Sequence, residues 1–391
     1  METMTSIERV RAAARALPVD RPPFFLWLNA HAGARLMSGL RPSPHRLWNA
    51  AARWFWKRFC RSGGQNASEL ERLAPLLFDI HTFNWANLYA VELGSDILMA
   101  AQATPWWYAR FLRRDGRLMM RDYFGVERAL GNGIYPDMVG PVVRDRESLR
   151  NYRLPDLRHP RYYDVFRRAR RLYPGTAIAA EVWGPQDFTA TSMFGMERFM
   201  TMLVDYPEDM RVFLKRWTDW WCDVIPRCVD AGADTIAIYD DYGYDHRTLV
   251  SMKMWREFSW PYLRRYVDAA KEAGALVMLH SCGYQKPLLP YYVEAGIDLL
   301  QSYQPKAGND LEWALAEYGD RLGFITGIDI QRGEAMSPDE LRAEILRNAE
   351  LGRGKRFILG TTHELQYTMP LANVSAILST VREIINKEAG G

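Results

Sequence analysis

Apolar and polar positions alternate along this chain in two regimes. From about residue 175 the rhythm is regular: a short apolar run, a turn, then a longer stretch with helical spacing. The apolar runs are 177–183, 234–239, 275–280, 297–301, 323–329 and 356–360. Helical stretches lie between them, among them 196–231, interrupted at Pro207, and 253–273. Ser337 with Glu340 predicts a capping box opening another helix, and a C-terminal helix is expected from Asn373 onward. Before residue 175 the pattern is looser. A helix is predicted from a Ser6 cap to about Leu17, then a strand over Phe24–Leu28 and a basic, Trp-rich helix over 45–60. A second helix leads to the apolar run 76–80.

Strands that alternate with helices pair in parallel. Six in succession, each ending in polar residues, predict a (β/α)₈ TIM barrel with N-terminal helical additions. We expect one domain over 1–391, with 1–75 holding the extension and first strand and 76–391 the rest of the barrel. A doubly wound open sheet competes, but no glycine-rich nucleotide fingerprint follows the early strands. Barrels of this class carry their chemistry where the strands end. That rule gathers Glu181, Asp240, Asp241, His280, Cys282, Gln301, Asp329 and His363 on one rim.

The most informative rim stretch is Leu279-His280-Ser281-Cys282-Gly283. Residues two apart on a strand face the same side, so His280 and Cys282 reach one point and suit zinc. A core histidine beside a buried cysteine is the bland alternative. Of the adjacent acids, Asp241 is the better functional candidate, and Asp240 could instead cap the following helix. Asp329 could order its own loop. Glu181 lies inside its strand end, where an unpaired charge is costly, so it should meet an arginine, a metal or a substrate.

Composition narrows the classes. The 50 basic and 47 acidic residues give no case for nucleic-acid binding. Four irregularly spaced cysteines suggest a reducing, cytoplasmic setting. No signal peptide or membrane span is expected. The 14 Trp, 20 Tyr and 16 Phe offer core packing and material for a ring-lined pocket. Trp106-Trp107-Tyr108 reads more as core or interface than as pocket, and the 45–60 helix as packing on the barrel or in a homodimer.

These strand ends, in this order, resemble the uroporphyrinogen decarboxylase superfamily. The likeness runs through Ser6–Ala13, Val19–Pro22, Asp240–Gly243, Met254–Phe258, Leu279–Gly283, Gly327–Ile330 and Thr368–Pro370. His-Ser-Cys-Gly resembles the cobalamin-dependent methyltransferase branch, which binds zinc through His-x-Cys and a later Cys. Seven residues before Pro370 this chain has His363, where that branch has the Cys and the decarboxylases have a His. The decarboxylases' Arg-Gln-Ala-Gly-Arg motif is degraded here to Ala30-His31-Ala32-Gly33-Ala34-Arg35, and no tyrosine lies between Gly184 and Phe194.

The resemblance therefore implies a methyltransferase with zinc on His280, Cys282 and His363. Asp241, Glu181 and Asp329 would be catalytic. Asp79, Trp183, Tyr242, Gln301 and Tyr303 would contact a small methyl donor or acceptor, Asp79 being the counterpart of the decarboxylases' essential aspartate. The corrinoid would arrive on a partner protein, since the chain has no Asp-x-His-x-x-Gly signature. A metal-free decarboxylase and a non-catalytic binding protein on the same fold are the alternatives.

Overall fold

In a computed structural model, described for residues 3–44, 46–55, 85–101, 110–129 and 137–389, eight parallel strands follow one another around a nearly closed barrel. They are β1 (Phe24–Phe25), β2 (Ile97–Ala101), β3 (Ala177–Trp183), β4 (Thr235–Tyr239), β5 (Leu276–His280), β6 (Leu299–Gln301), β7 (Gly323–Ile328) and β8 (Phe357–Thr361). Each pairs with its neighbour in sequence, and β1 pairs with β8. The seam between β1 and β2 is held differently. The Asp96 N–H donates to the Phe24 carbonyl at 2.7 Å, the Phe24 N–H donates to Asp96 Oδ2 at 2.9 Å, and the Leu26 N–H donates to Ser95 Oγ at 3.1 Å.

Two apolar layers result. Inward positions such as Phe25, Met99, Ala179, Ala237, Met278 and Ile325 fill the barrel, while a larger shell packs the helices onto its outside. Trp217, Trp221 and Trp255 are wholly buried in that shell, which accounts for part of the aromatic content. The N-terminal helix Ser6–Ala13 places Val10, Ala13 and Ala14 in the inner layer and closes the barrel below. Its cap is Thr5, which forms the box with Glu8, and not Ser6 as the sequence suggested. Ser6 Oγ donates instead to Asp96 Oδ1 at 2.6 Å. The box at Ser337 and Glu340 is present.

Two features lie outside the predicted elements: β2, and a four-stranded antiparallel sheet between β2 and β3, made of Arg110–Arg114, Arg117–Arg121, Glu127–Ala129 and Asp137–Gly140. Its first hairpin turns at Asp115-Gly116, both with positive φ, the Asp-Gly pattern that two-residue hairpin turns favour. The Trp-rich helix spans Arg46–Phe55. The rest of its predicted range, the 76–80 run with Asp79, and Trp106–Tyr108 lie outside the described residues. Among the described residues no helix is long and apolar enough to cross a membrane.

Candidate metal centre

β4 and β5 are in register, with Tyr239 beside His280, and both strands continue past the rim as loops in contact. The Gly243 N–H donates to the Cys282 carbonyl at 3.2 Å. Gly283 has φ of +79°, and a Cβ there would sit 2.3 Å from the Gly243 carbonyl carbon. Only glycine fits, which explains the residue after the His-x-Cys pair. The crossing holds Cys282 over the barrel mouth.

There His280, Cys282 and His363 converge, each offering a ligand atom, all within 4.8 Å of one another. Cys282 Sγ is 3.5 Å from His280 Nε2. The His363 ring stacks on Trp27 with centroids 5.2 Å apart and meets the His280 ring edge-on at 5.4 Å. Trp27 and Tyr239 also pack against His280, so rings surround the imidazoles.

The tautomer of His280 follows from its neighbours. Gln301 Nε2 donates to the Thr361 carbonyl at 3.1 Å, and this turns Gln301 Oε1 toward His280 Nδ1 in a close hydrogen bond. Nδ1 must then carry the proton, leaving the Nε2 lone pair directed at Cys282. Burial lowers the pKa of both His280 and His363 to about 4, so both imidazoles are neutral at pH 7. Burial and the Asp241 charge push the Cys282 thiol well up. A bound dication acts in the opposite sense and favours the thiolate. Ser302 Oγ lies 3.3 Å from Cys282 Sγ, and Ser302 holds a φ of +86° that non-glycine residues rarely adopt. The donor set, its neutral imidazoles and its oriented tautomer all fit zinc.

Acids surround the cluster. Asp241 Oδ1 accepts the Cys282 N–H at 2.7 Å and lies 3.8 Å from His280 Nε2. Burial and the charges of Asp241 and Asp240 raise Asp187 to about 8. Burial and Glu364 raise Glu181 to about 8.

A family model, uroporphyrinogen decarboxylase, matches residues 116–384, more than half of the chain. The chain belongs to the uroporphyrinogen decarboxylase family. Within this family it is 23% identical over 318 residues to uroporphyrinogen decarboxylase 2, chloroplastic, of Arabidopsis thaliana, covering 74% of each chain. It is 24% identical over 298 residues to the uroporphyrinogen decarboxylase of Pseudomonas fluorescens (strain Pf0-1), covering 70% of this chain and 80% of that one. Among solved structures, a methyltransferase from Methanosarcina mazei superposes with a TM-score of 0.68 at 18% identity, over 97% of this chain and 99% of that one. That likeness is one of fold.

Several residues of this family member sit differently from expectation. Asp329 is 2% exposed and caps the short helix Ile330–Gly333, accepting from the Gln331 and Arg332 N–H groups and pairing with Arg332 Nε at 2.6 Å. Its carboxylate is thus occupied in ordering its own loop. Gln301 is buried with both amide atoms engaged, on the Thr361 carbonyl and on His280, so in this structure it positions His280. Tyr242 is wholly enclosed, with its ring against Trp255. Tyr303 is buried, and its hydroxyl donates to the Asp310 carbonyl at 3.4 Å. Neither tyrosine is open to a ligand. Asp240 caps no following helix. Its Oδ1 accepts the N–H groups of Gln186 and Asp187, which fixes the loop after β3. Trp183 and Glu181 remain half-buried at the mouth.

Sequence reasoning missed Trp27, Tyr239, Ser302 and Asp187. Tyr239 had a readable signal, since it directly precedes Asp240-Asp241 at a strand end. Asp187 follows Gly184-Pro185-Gln186 in a loop, and nothing local marks its side chain as facing Asp241.

Proposed function

We propose that this protein is a zinc-dependent methyltransferase, moving a methyl group between a small molecule and a corrinoid carried by a partner protein. The observation that carries the reading is the convergence of His280, Cys282 and His363. Three protein ligands leave the fourth tetrahedral position to a substrate atom, as in catalytic zinc sites. Zinc bound there supplies Lewis acidity to a heteroatom of the methyl donor. The heteroatom would keep the pair of the broken bond to the methyl carbon, and a corrinoid brought by the partner would supply the electron pair that accepts the methyl group. Two imidazoles and one thiolate make a less negative set than one with a second thiolate, which favours polarising an ether or amine.

The chain's own residues would do the rest. Gln301 holds the His280 tautomer and Asp241 holds the Cys282 backbone. Asp187, whose affinity for a proton is raised by burial and by the Asp241 charge, keeps one beside the cluster for the departing heteroatom. Glu181 and Trp183 orient the substrate.

The charge of the mouth supports this reading over decarboxylation of a carboxylate-rich tetrapyrrole. Among the described residues no Lys or Arg acts on Glu181, Asp187 or Asp241. Arg35, the arginine left from the degraded motif, directs its guanidinium to the Tyr367 and Met369 carbonyls. Metal analysis of the purified protein should find about one zinc per chain. The zinc should be lost in Cys282→Ala and weakened in His363→Ala. The parent protein should demethylate methylcobalamin when a thiol is supplied. A zinc-free protein that converts uroporphyrinogen to coproporphyrinogen would overturn the proposal. A zinc-free protein with neither activity would point to a binding role.

A further inference from the structure

The mouth of the barrel carries more negative charge than the metal cluster accounts for. A dication on two neutral imidazoles and one thiolate leaves a single positive charge, and Asp241, beside His280, balances it. Glu181 and Asp187 remain. Glu181 makes no hydrogen bond or ion pair with any described residue, and the side chain acting on it is a further acid, Glu364. The charges acting on Asp187 are Asp240 and Asp241. An uncompensated carboxylate is costly even when half-buried, so it either takes up a proton or meets a cation.

A second, independent feature points to a ligand at the same place. Tyr239 is 6% exposed, and its hydroxyl has no hydrogen-bond partner among the described residues. That hydroxyl lies in the fields of Glu181, Glu364, Cys282 and Asp241, so it is directed into the acidic mouth. Buried hydroxyls without partners are uncommon, and one directed into a cavity of this kind lacks a group it is shaped to meet. Around it stand aromatic faces. Trp183 extends from β3 on the same side as Glu181. Its ring centroid is 5.6 Å from that of Tyr239, which in turn is 5.6 Å from Trp27. The inward positions below are the small Ala179 and Ala237, which leave room above them.

We infer that the substrate carries an ammonium group, seated against the Glu181 carboxylate, the Tyr239 hydroxyl and the Trp183 ring, with its reacting heteroatom turned toward the metal cluster. The inference rests on the methyl-transfer reading for the second half of that statement only. An ammonium supplies the missing charge, and its N–H or N–CH₃ edge is attracted by ring faces as well as by carboxylate. A second metal ion is a poorer occupant, because Glu181 and Asp187 belong to no group of ligand atoms within metal-binding reach among the described residues.

The test uses the zinc-loaded full chain and three probes of nearly equal shape: choline, the uncharged alcohol in which carbon replaces its nitrogen, and pivalate. Calorimetric titration should show choline binding at least about tenfold tighter than the neutral alcohol, with pivalate weakest. Glu181→Gln, which keeps shape and removes charge, should bring choline to within about twofold of the alcohol while zinc content and circular dichroism stay unchanged. Equal binding of choline and the alcohol by the parent protein, stronger binding of pivalate, or no binding of any probe would overturn the inference. Preference for choline in a protein without zinc or methylcobalamin activity would keep the ammonium site and discard the methyl-transfer reading. Zinc and demethylation without that preference would do the reverse.

Discussion

Two buried charged clusters lie at opposite ends of this barrel, and they are built on opposite principles. Below the strands, Asp96 is fully buried and fully answered. Its Oδ1 accepts from Arg9 at 2.7 Å, Arg21 at 2.8 Å and Ser6 at 2.6 Å, while Oδ2 accepts from the Phe24 N–H and from Arg21, each at 2.9 Å. Arg9 also grips Asp20, whose pKa the Arg9 hydrogen bond lowers to about 2. Above the strands, Glu181 and Asp187 have no such partners and are raised to about 8. Both clusters hold carboxylates inside the same fold. At the closed end the sequence supplies arginines, so the charges are internal to the fold and fasten the β1–β2 seam. At the open end no basic side chain among the described residues acts on the acids, so the compensation there is left to protons, metal or ligand. A fully matched buried cluster holds the barrel shut, and an unmatched one marks where something else binds.

The largest effect should come from breaking the matched end. Asp96→Ala leaves Arg9 and Arg21 facing Asp20 and backbone alone, and removes the acceptor for Phe24. Loss of one partner from a buried ion pair costs about 3–5 kcal/mol, and chemical denaturation should show a loss of that order. The zinc content of the folded fraction should not change. A loss below about 1 kcal/mol would mean the seam does not depend on this network.

A smaller effect is expected from a positioning residue at the open end. Gln301→Leu leaves the His280 Nδ1 proton without its acceptor and frees the ring to turn. Zinc affinity, measured by competition with a chelator, should fall about 10–100-fold with the fold retained. Unchanged affinity would show that Trp27 and Tyr239 alone hold the ring.

The most gradual effect, the smallest over any single pH unit, concerns pH and the metal-free protein. Glu181 is raised from 4.5 to about 8 in the folded chain, which therefore keeps a proton that the unfolded chain gives up in that window. Stability should then fall as pH rises from 4.5 to 8, by up to about 1.4 kcal/mol per pH unit for one such group. His280 and His363, lowered from 6.5 to about 4, act in the other sense, adding stability as pH rises from 4 to 6.5. Between pH 6.5 and 8 the carboxyl slope stands alone. Glu181→Gln should melt above the parent at pH 8, with the difference shrinking toward pH 5. A constant difference across that range would show that the side chain is not desolvated.

Much of this was readable without coordinates where the signal was local. The regular alternation after residue 175 named six of the eight strands, and the capping box at Ser337 was legible in four residues. β2 escaped because Ile97–Ala101 is a short apolar run following a helix, with no pattern to separate it. The antiparallel sheet escaped because its strands are short and rich in arginine, although Asp115-Gly116 was a usable turn signal. Gln301 and Asp329 were rightly placed at strand ends, but a strand end does not say whether a polar atom faces a ligand or a neighbouring backbone group.

The sequence by itself determined the alternation that makes a parallel barrel, the His-x-Cys parity that sends His280 and Cys282 to one side, and the capping box at Ser337. Those follow from the geometry of a few consecutive residues. Only the tertiary structure decided that His363 joins the pair, that Gln301 sets the tautomer of His280, and that Asp187 faces Asp241. It alone showed that, among the described residues, Glu181 has no basic partner while Asp96 has two. These outcomes depend on distances between residues far apart in the chain, and on burial, which turns a carboxylate's surroundings into its charge state.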